Sequence, residues 1–107
     1  MVGYRNDAKV TPCEPGVERR ILTYDDEAMM CEITFQKDAC GNPHQHPHLQ
    51  ISYVAQGSFE FTVGDETKIV SKGDSVLIPR NTNHGVHCLE AGILVDVFTP
   101  KRDDFLK

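Results

Sequence analysis

The sequence lacks long apolar runs and long basic runs, and each absence excludes a class of protein. No stretch of its 107 residues approaches the roughly 18 consecutive apolar residues of a membrane-spanning helix. Residues 1–7 hold no apolar segment of the length that a secretion signal needs. The longest basic runs are two Arg or Lys pairs, which argues against nucleic-acid binding. We therefore expect a cytoplasmic protein that contacts neither membranes nor nucleic acids.

Redox motifs are also missing. The spacing of the four cysteines matches neither a CxxC pair nor a zinc ribbon. In a reducing cytosol we expect four free thiols: Cys13, Cys31, Cys40 and Cys88. Cys88 stands out because it follows a candidate metal ligand closely. The roles of the four thiols are otherwise open.

Size and charge limit what the chain can do. At 107 residues it makes one domain whose core is small, so dimerisation would help it, and we expect a homodimer. The net charge is −5, so an anionic substrate needs local positive charge at its site.

Short strand-like runs between turn residues fill the chain after residue 16. The predicted strands are 17–24, 29–35, 49–55, 58–63, 66–70, 75–78, 84–88 and 93–99. Gly64 and Asp65 separate two of them as a hairpin turn. No window shows a helical period. The pattern predicts an all-β sandwich or barrel over residues 17–107. Residues 1–16 are less regular, and we expect an N-terminal arm that can pair with a neighbouring subunit.

A histidine-rich segment is the first sign of chemistry. Residues two apart on an extended chain point to the same side, so His44 and His46 can aim at one point, and Gln50 shares their parity. Neutral imidazole is the commonest side-chain metal ligand. The alternative is a polar loop whose histidines only form hydrogen bonds, and the spacing alone leaves both open.

A second segment ends in another histidine, and with it the chain resembles the cupin superfamily. The first cupin motif is HxH, three or four residues, an acidic residue, six residues and Gly. Its matches here are His44, His46, Gln50 and Gly57. The second motif is Gly, five residues, Pro-x-Gly, two residues and His. Its matches are Gly73, Pro79, Asn81 and His84. The resemblance implies a small all-β jelly-roll barrel with one divalent metal ion.

Two departures from these motifs have consequences, one for the backbone conformation of a turn and one for the charge of the ligand set. Asn81 replaces a glycine, and Asn tolerates the left-handed backbone conformation better than most residues. Gln50 replaces the usual Glu, which leaves a ligand set of His44, His46, Gln50 and His84 with no protein charge. We expect Zn, Ni, Mn or Fe, among which the sequence does not choose. Loss of the carboxylate favours non-redox polarisation of a substrate oxygen.

Two histidines remain outside this set. His48 shares the parity of His46, but Pro47 can turn it away, so a ligand or substrate contact stays open for it. His87 has the opposite parity to His84 on one strand, so we expect it to face the other side of the sheet as a surface or packing residue.

The C-terminal segment contains an acidic residue, Asp96, and a basic residue, Arg102. Asp96 lies inside an apolar strand, where a carboxylate is costly unless it is paired or used. The alternative is a structural salt bridge or a turn hydrogen bond. Phe98 shares its parity. Arg102 follows Pro100 and can bend back over the barrel mouth. An Asp can transfer protons there, and an Arg can hold a carboxylate bidentately.

This tail and two other segments resemble one cupin group, the KdgF-type cupins of pectin and alginate degradation. The matching parts are residues 16–22, the His-x-His-Pro-His-x-Gln core and the Asp-Val-Phe-x-Pro-x-Arg-x-Asp-Phe segment. The resemblance implies a metal held by three His and one Gln, with Asp96 and Arg102 as catalytic residues and Phe98 and Arg102 at the substrate. Leu49 departs from the family, which often has Glu there.

The implied activity is the metal-dependent conversion of 4,5-unsaturated uronate monosaccharides to linear 5-keto-4-deoxyuronate, by ring opening and tautomerisation. Asp96 would act as the acid and base on this small acidic sugar. Two other hypotheses are a non-enzymatic cupin that binds a sugar or metabolite, and a metal-dependent dioxygenase, which Gln50 disfavours.

Overall fold

A computed structural model describes all residues of the chain, 1–107, and they form strands with two short 3₁₀ turns. The 3₁₀ turns are Arg5–Asp7 and Asp103–Leu106. The strands are β1 (Val10–Pro12), β2 (Val17–Tyr24), β3 (Met29–Phe35), β4 (Cys40–His44), β5 (Leu49–Val63), β6 (Glu66–Ser71), β7 (Ser75–Ile78) and β8 (His84–Thr99). None of the helical segments has the length and apolar composition needed to cross a membrane.

All eight strands join in one antiparallel sheet that folds over on itself. The order is β1-β2-β3-β8-β5-β6, with β4 on β8 and β7 on β5. The two long strands, β5 and β8, pair along most of their length. On its other edge, β5 pairs first with β7 and then with β6, and β8 pairs first with β4 and then with β3. This gives the double-stranded jelly-roll barrel, and the all-β prediction is confirmed.

The predicted strand breaks at residues 56–57 and 89–92 are wrong. Residues 49–63 form one strand and so do residues 84–99. Gly57 adopts φ +80° and Gly92 packs against it, and the pairing continues through register shifts. Glycines at such irregularities bend a strand without ending it. Strand β4 was not predicted.

The residues at two turns adopt the left-handed backbone conformation that the sequence predicts. Gly64 adopts φ +58° in the β5–β6 hairpin, and Asn81 adopts φ +58° in the loop before β8. The backbone N–H of Asn81 then donates to the carbonyl oxygen of His46 at 2.8 Å. The loop that replaces the motif glycine therefore holds the histidine segment in place.

The core lies between the two layers. Strand β3 alternates, and its buried residues are Met29, Cys31, Ile33 and Phe35. The rings of Phe35 and Phe59 meet edge to face at 5.2 Å. A smaller set of buried residues is polar, which is costly without partners. These residues are His46, Gln50, Ser52, Ser58, His84, Asp96 and Arg102.

The N-terminal segment pairs with its own chain. Strand β1 runs antiparallel to β2, with Val10 opposite Arg20. Pairing of residues 1–16 with a neighbouring subunit and the homodimer stay predictions. All four cysteines are free, as expected, and Cys31 and Cys88 are buried. The thiol of Cys88 donates to the carbonyl oxygen of Glu90, within the core.

Candidate functional site

Three histidines converge inside one end of the barrel. His44 ends β4 and lies opposite His84, the first residue of β8, while His46 follows in the next loop. One ring nitrogen from each lies within 4.8 Å of those of the other two. The ring centres of His44 and His84 are 4.5 Å apart, and those of His46 and His84 are 5.0 Å apart. The predicted convergence is confirmed.

Backbone carbonyls set the tautomer of these rings. The Nδ1 atoms of His44, His46 and His84 lie 2.9, 3.1 and 2.9 Å from carbonyl oxygens of residues 42, 48 and 82. A carbonyl only accepts, so each Nδ1 carries the hydrogen and each Nε2 keeps its lone pair. The Nε2 of His84 is buried and has no hydrogen-bond partner. Orphaned imidazole lone pairs of this kind suit a divalent metal ion.

Burial favours the neutral form of two of these rings, His46 and His84. Desolvation, with the charge of Arg102 as the next cause, lowers the pKa of His46 to about 4. Burial also lowers the pKa of His84. Since a metal binds only the unprotonated ring, both side chains are ready ligands at neutral pH.

A directed hydrogen-bond chain runs from Gln50, which lies beside this cluster, to Asp96. The Ser52 hydroxyl donates to Asp96 Oδ1 at 2.6 Å, so its oxygen accepts from the Gln50 amide Nε2 at 3.0 Å. The Gln50 carbonyl oxygen then faces His46 Nε2 at 3.0 Å. Both of these atoms are acceptors, and a cation bound by both would resolve their conflict. The predicted ligand set therefore fits a metal in this structure.

Sequence reasoning missed Ser52. It is fully buried on β5, directly opposite Asp96 on β8. Its parity with Gln50 was a usable signal, since residues 50 and 52 face the same side of one strand.

Asp96 is buried and titrates unusually. Desolvation raises its pKa from 3.8 to about 6, although the hydrogen bonds from Ser52 and Gln50 and the charge of Arg102 all act to lower it. It makes no salt bridge. The structural salt bridge considered for this residue is therefore absent, and its side-chain hydrogen bond comes from Ser52 on β5 rather than from a turn.

Arg102 returns over the barrel mouth, where the sequence predicted it. Its guanidinium carbon lies 5.0 Å from the ring centre of Phe98 and 4.2 Å from that of Phe105. Its Nε and Nη2 atoms donate to the two carboxylate oxygens of Asp104 at 3.0 and 2.8 Å. This pair lowers the pKa of Asp104. Sequence reasoning missed this pairing, because it depends on the tail's 3₁₀ turn.

A cavity of about 510 Å³ lies beside these groups. Its polar and charged lining residues include His44, Gln50, His84, Asp96 and Arg102, together with Phe98. This volume suits a small ligand. His46 is buried and contacts Gln50 behind the cavity lining.

The two remaining histidines lie outside the cluster. The His48 ring centre is 5.3 Å from that of His46, and its Nδ1 is buried without a partner. His87 lies at the surface, as expected, with Nε2 3.4 Å from Asp38.

Comparison with known proteins agrees with this geometry. The family model for the cupin domain matches residues 31–98. The chain belongs to the cupin family. This part of the cupin chain carries all three clustered histidines, Gln50 and Asp96.

Three relatives are similar over most of the cupin chain. The pectin degradation protein KdgF of Dickeya dadantii (strain 3937) is 47% identical over 93 residues, covering 85% of this chain and 84% of that protein. The structure of KdgF from Halomonas sp. is 36% identical with a TM-score of 0.92, covering 98% of this chain and 97% of that one. An RmlC-like cupin from Shewanella frigidimarina NCIMB 400 is 35% identical with a TM-score of 0.94, covering 98% and 95%.

Proposed function

We propose that this cupin is an enzyme of pectin degradation that converts 4,5-unsaturated uronate monosaccharides to linear 5-keto-4-deoxyuronate. One observation carries the proposal: the buried Asp96 lines the same cavity as His44 and His84 of the histidine cluster. Its pKa, raised by burial to about 6, suits a group that both takes and gives a proton near neutral pH. The similarity to two KdgF proteins supports the pathway.

The reaction is an isomerisation in which one proton changes place. The hydroxyl at C1 loses its proton, the bond from C1 to the ring oxygen breaks, and C1 becomes an aldehyde. The ring oxygen leaves as an enolate on C5. A proton then adds at C4 and the enolate becomes a ketone, so the atoms and electrons balance without an added reactant.

The residues take roles that follow from their positions. Asp96 accepts the C1 hydroxyl proton and returns a proton to C4, and Ser52 orients it through the 2.6 Å bond. Phe98 forms an apolar wall beside the ring, and both it and Arg102 line the cavity. The guanidinium of Arg102 keeps Nη1 free of protein hydrogen bonds and directs it to the acidic substrate.

One divalent metal ion completes the proposal. Zn, Ni, Mn or Fe would be held by His44, His46, Gln50 and His84. Such an ion supplies Lewis acidity to a substrate oxygen, where it stabilises developing negative charge. We place this reaction in the cytoplasm, where exposed thiols such as Cys13 stay reduced.

The test follows the loss of enol-ether absorbance when metal-analysed protein meets freshly made 4,5-unsaturated galacturonate. We expect fast loss, a linear ketone by NMR, and no acceleration after chelation. Binding without turnover would replace this proposal with the non-enzymatic sugar-binding hypothesis. Oxygen consumption that tracks substrate loss would replace it with the dioxygenase hypothesis.

A further inference from the structure

A second guanidinium lines the cavity. Arg19 on β2 faces inward, and its guanidinium carbon lies 3.7 Å from the ring centre of Phe105. The same ring lies 4.2 Å from the guanidinium carbon of Arg102. We call these three residues, Arg19, Phe105 and Arg102, the arginine–phenylalanine stack. The stack places two positive charges beside one cavity in a chain of net charge −5.

The two arginines of the stack differ in what they bind. Arg102 gives its Nε and Nη2 donors to the carboxylate of Asp104. Arg19 has no carboxylate partner. Its Nε is buried without any hydrogen-bond partner, and its Nη1 reaches only the weak acceptor Cys13 Sγ, at 3.7 Å. Arg19 therefore holds a buried donor that the protein leaves unsatisfied.

No lining carboxylate supplies what Arg19 lacks. Besides Asp96, the cavity has one carboxylate, that of Glu14. Its Oε1 accepts from the backbone N–H of Asn42 at 3.3 Å. A buried donor without a partner is unfavourable, and a bound ligand is one way to satisfy it.

We propose that Arg19 binds the carboxylate of the sugar acid that enters the cavity, and that it sets the preference for acidic over neutral sugars. The planar guanidinium fork matches a carboxylate bidentately, and stacking on Phe105 fixes its plane. Arg102 adds its remaining Nη1 donor from the other contact on the ring. The inference rests on the proposed function for the identity of the sugar acid, and its test does not need turnover.

The experiment measures binding by the metal-loaded protein of two non-reacting probes, galacturonate and its neutral counterpart galactose, by titration calorimetry. We expect galacturonate to bind the unchanged protein more tightly. We expect Arg19→Gln to weaken galacturonate binding about tenfold or more, with galactose binding unchanged. The matched control is Arg20→Gln, because Arg20 is the next residue on β2 and donates to the Ala8 carbonyl oxygen. It should change neither affinity.

Arg19→Lys keeps the charge and removes the fork. We expect it to weaken galacturonate binding less than Arg19→Gln, and it carries the test if loss of the contact with Phe105 unfolds the Gln variant. Equal galacturonate affinity in the unchanged protein and both Arg19 variants, or absence of binding by all three, would overturn the inference.

The kinetic outcome separates the two proposals. In the uronate assay, Arg19→Gln should raise KM about tenfold and leave kcat within a few-fold. Unchanged KM with normal turnover overturns the role of Arg19 and leaves the proposed function standing. No turnover by the unchanged protein, with Arg19-dependent galacturonate binding, overturns the proposed function and leaves the role of Arg19 standing.

Discussion

Ser52 and Asp96 lie opposite each other on β5 and β8 and share a hydrogen bond of 2.6 Å. Because the carboxylate can only accept, this bond sets the direction of the next one, from the Gln50 amide to Ser52. The orientation of the Gln50 carbonyl toward the histidines follows from it. The candidate acid and one candidate metal ligand, Gln50, therefore belong to one hydrogen-bond network.

Removing the hydroxyl tests this network. We expect Ser52→Ala to weaken metal binding about 10-fold or more, because the amide of Gln50 loses the partner that orients it. Competition with a chromophoric chelator measures the affinity. Ser58→Ala is the matched control, since Ser58 is buried on the same strand and donates to Glu90 outside the cavity. Equal affinities in the two variants would refute the orienting role.

The geometry of the histidine cluster predicts how removal of one ring changes the metal content of the protein. We expect His84→Ala to lower bound metal well below one ion per chain after dialysis, because its buried Nε2 has no other partner. Elemental analysis measures the content. His87→Ala, which alters a surface ring, should retain the metal. Full occupancy in His84→Ala would exclude this ring as a ligand.

Asp96→Asn separates proton transfer from metal binding. We expect the variant to lose turnover by about a hundredfold or more, since an amide cannot exchange the proton. Metal content should stay at the level of the unchanged protein, because Asp96 is not among the proposed ligands. Near-normal turnover in Asp96→Asn would show that the acid and base lie elsewhere.

The same substitution has a pH-dependent effect on stability. The folded-state pKa of Asp96, about 6, lies above the ordinary 3.8. Between these values the folded protein keeps a proton that the unfolded chain releases, so rising pH favours unfolding. The contribution of protonated Asp96 is present below about pH 4 and lost as the pH rises through about 6.

In chelated protein we therefore expect Asp96→Asn to unfold at higher denaturant than the unchanged protein at pH 8. The difference should be on the order of 2–3 kcal/mol. It should shrink toward zero near pH 4. Urea titrations at both pH values measure it, and the histidine contributions cancel because both proteins contain them. A difference independent of pH would contradict the raised pKa.

A substitution at Gly92 tests the close packing of β5 against β8 where their register shifts. A Cβ at this position would overlap the backbone carbonyl oxygen of Gln56, which cannot rotate away. We expect Gly92→Ala to destabilise the fold by about 3 kcal/mol or more. Gly73→Ala is the comparison, because Gly73 has φ +95° with nothing near its Cβ, and only backbone strain of about 1–2 kcal/mol applies. Equal losses in urea unfolding would contradict the large cost expected from the overlap at Gly92.

The sequence predicts the local features of this chain well. The parity of His44 and His46, the turn at Gly64 and the alternation of residues 29–35 each depend on a few neighbouring residues, and the structure confirms all three. The prediction of two short strands in place of β5, and of two in place of β8, is wrong because it used only the local sequence. A glycine predicts a bend locally, whereas continued pairing depends on the partner strand.

The missed site residues depend on distant pairing. Ser52 and Asp96 are 44 positions apart, so their bond needs the register of β5 on β8. Arg19 meets Phe105 only after the barrel closes and the tail folds back. Residue types and spacing cannot supply such contacts without the register.

The arginine–phenylalanine stack lies outside the part of the chain that defines a cupin. The family model covers residues 31–98, while Arg19 precedes this span and Arg102 and Phe105 follow it. In the proposed enzyme, the barrel shared with other cupins carries the reactive centre, and the two flanks carry the charge that meets the ligand. In the proposed enzyme, substitutions at these flanking residues would alter ligand preference and leave the candidate metal ligands unchanged. Engineering of new acid or neutral sugar preferences should begin there.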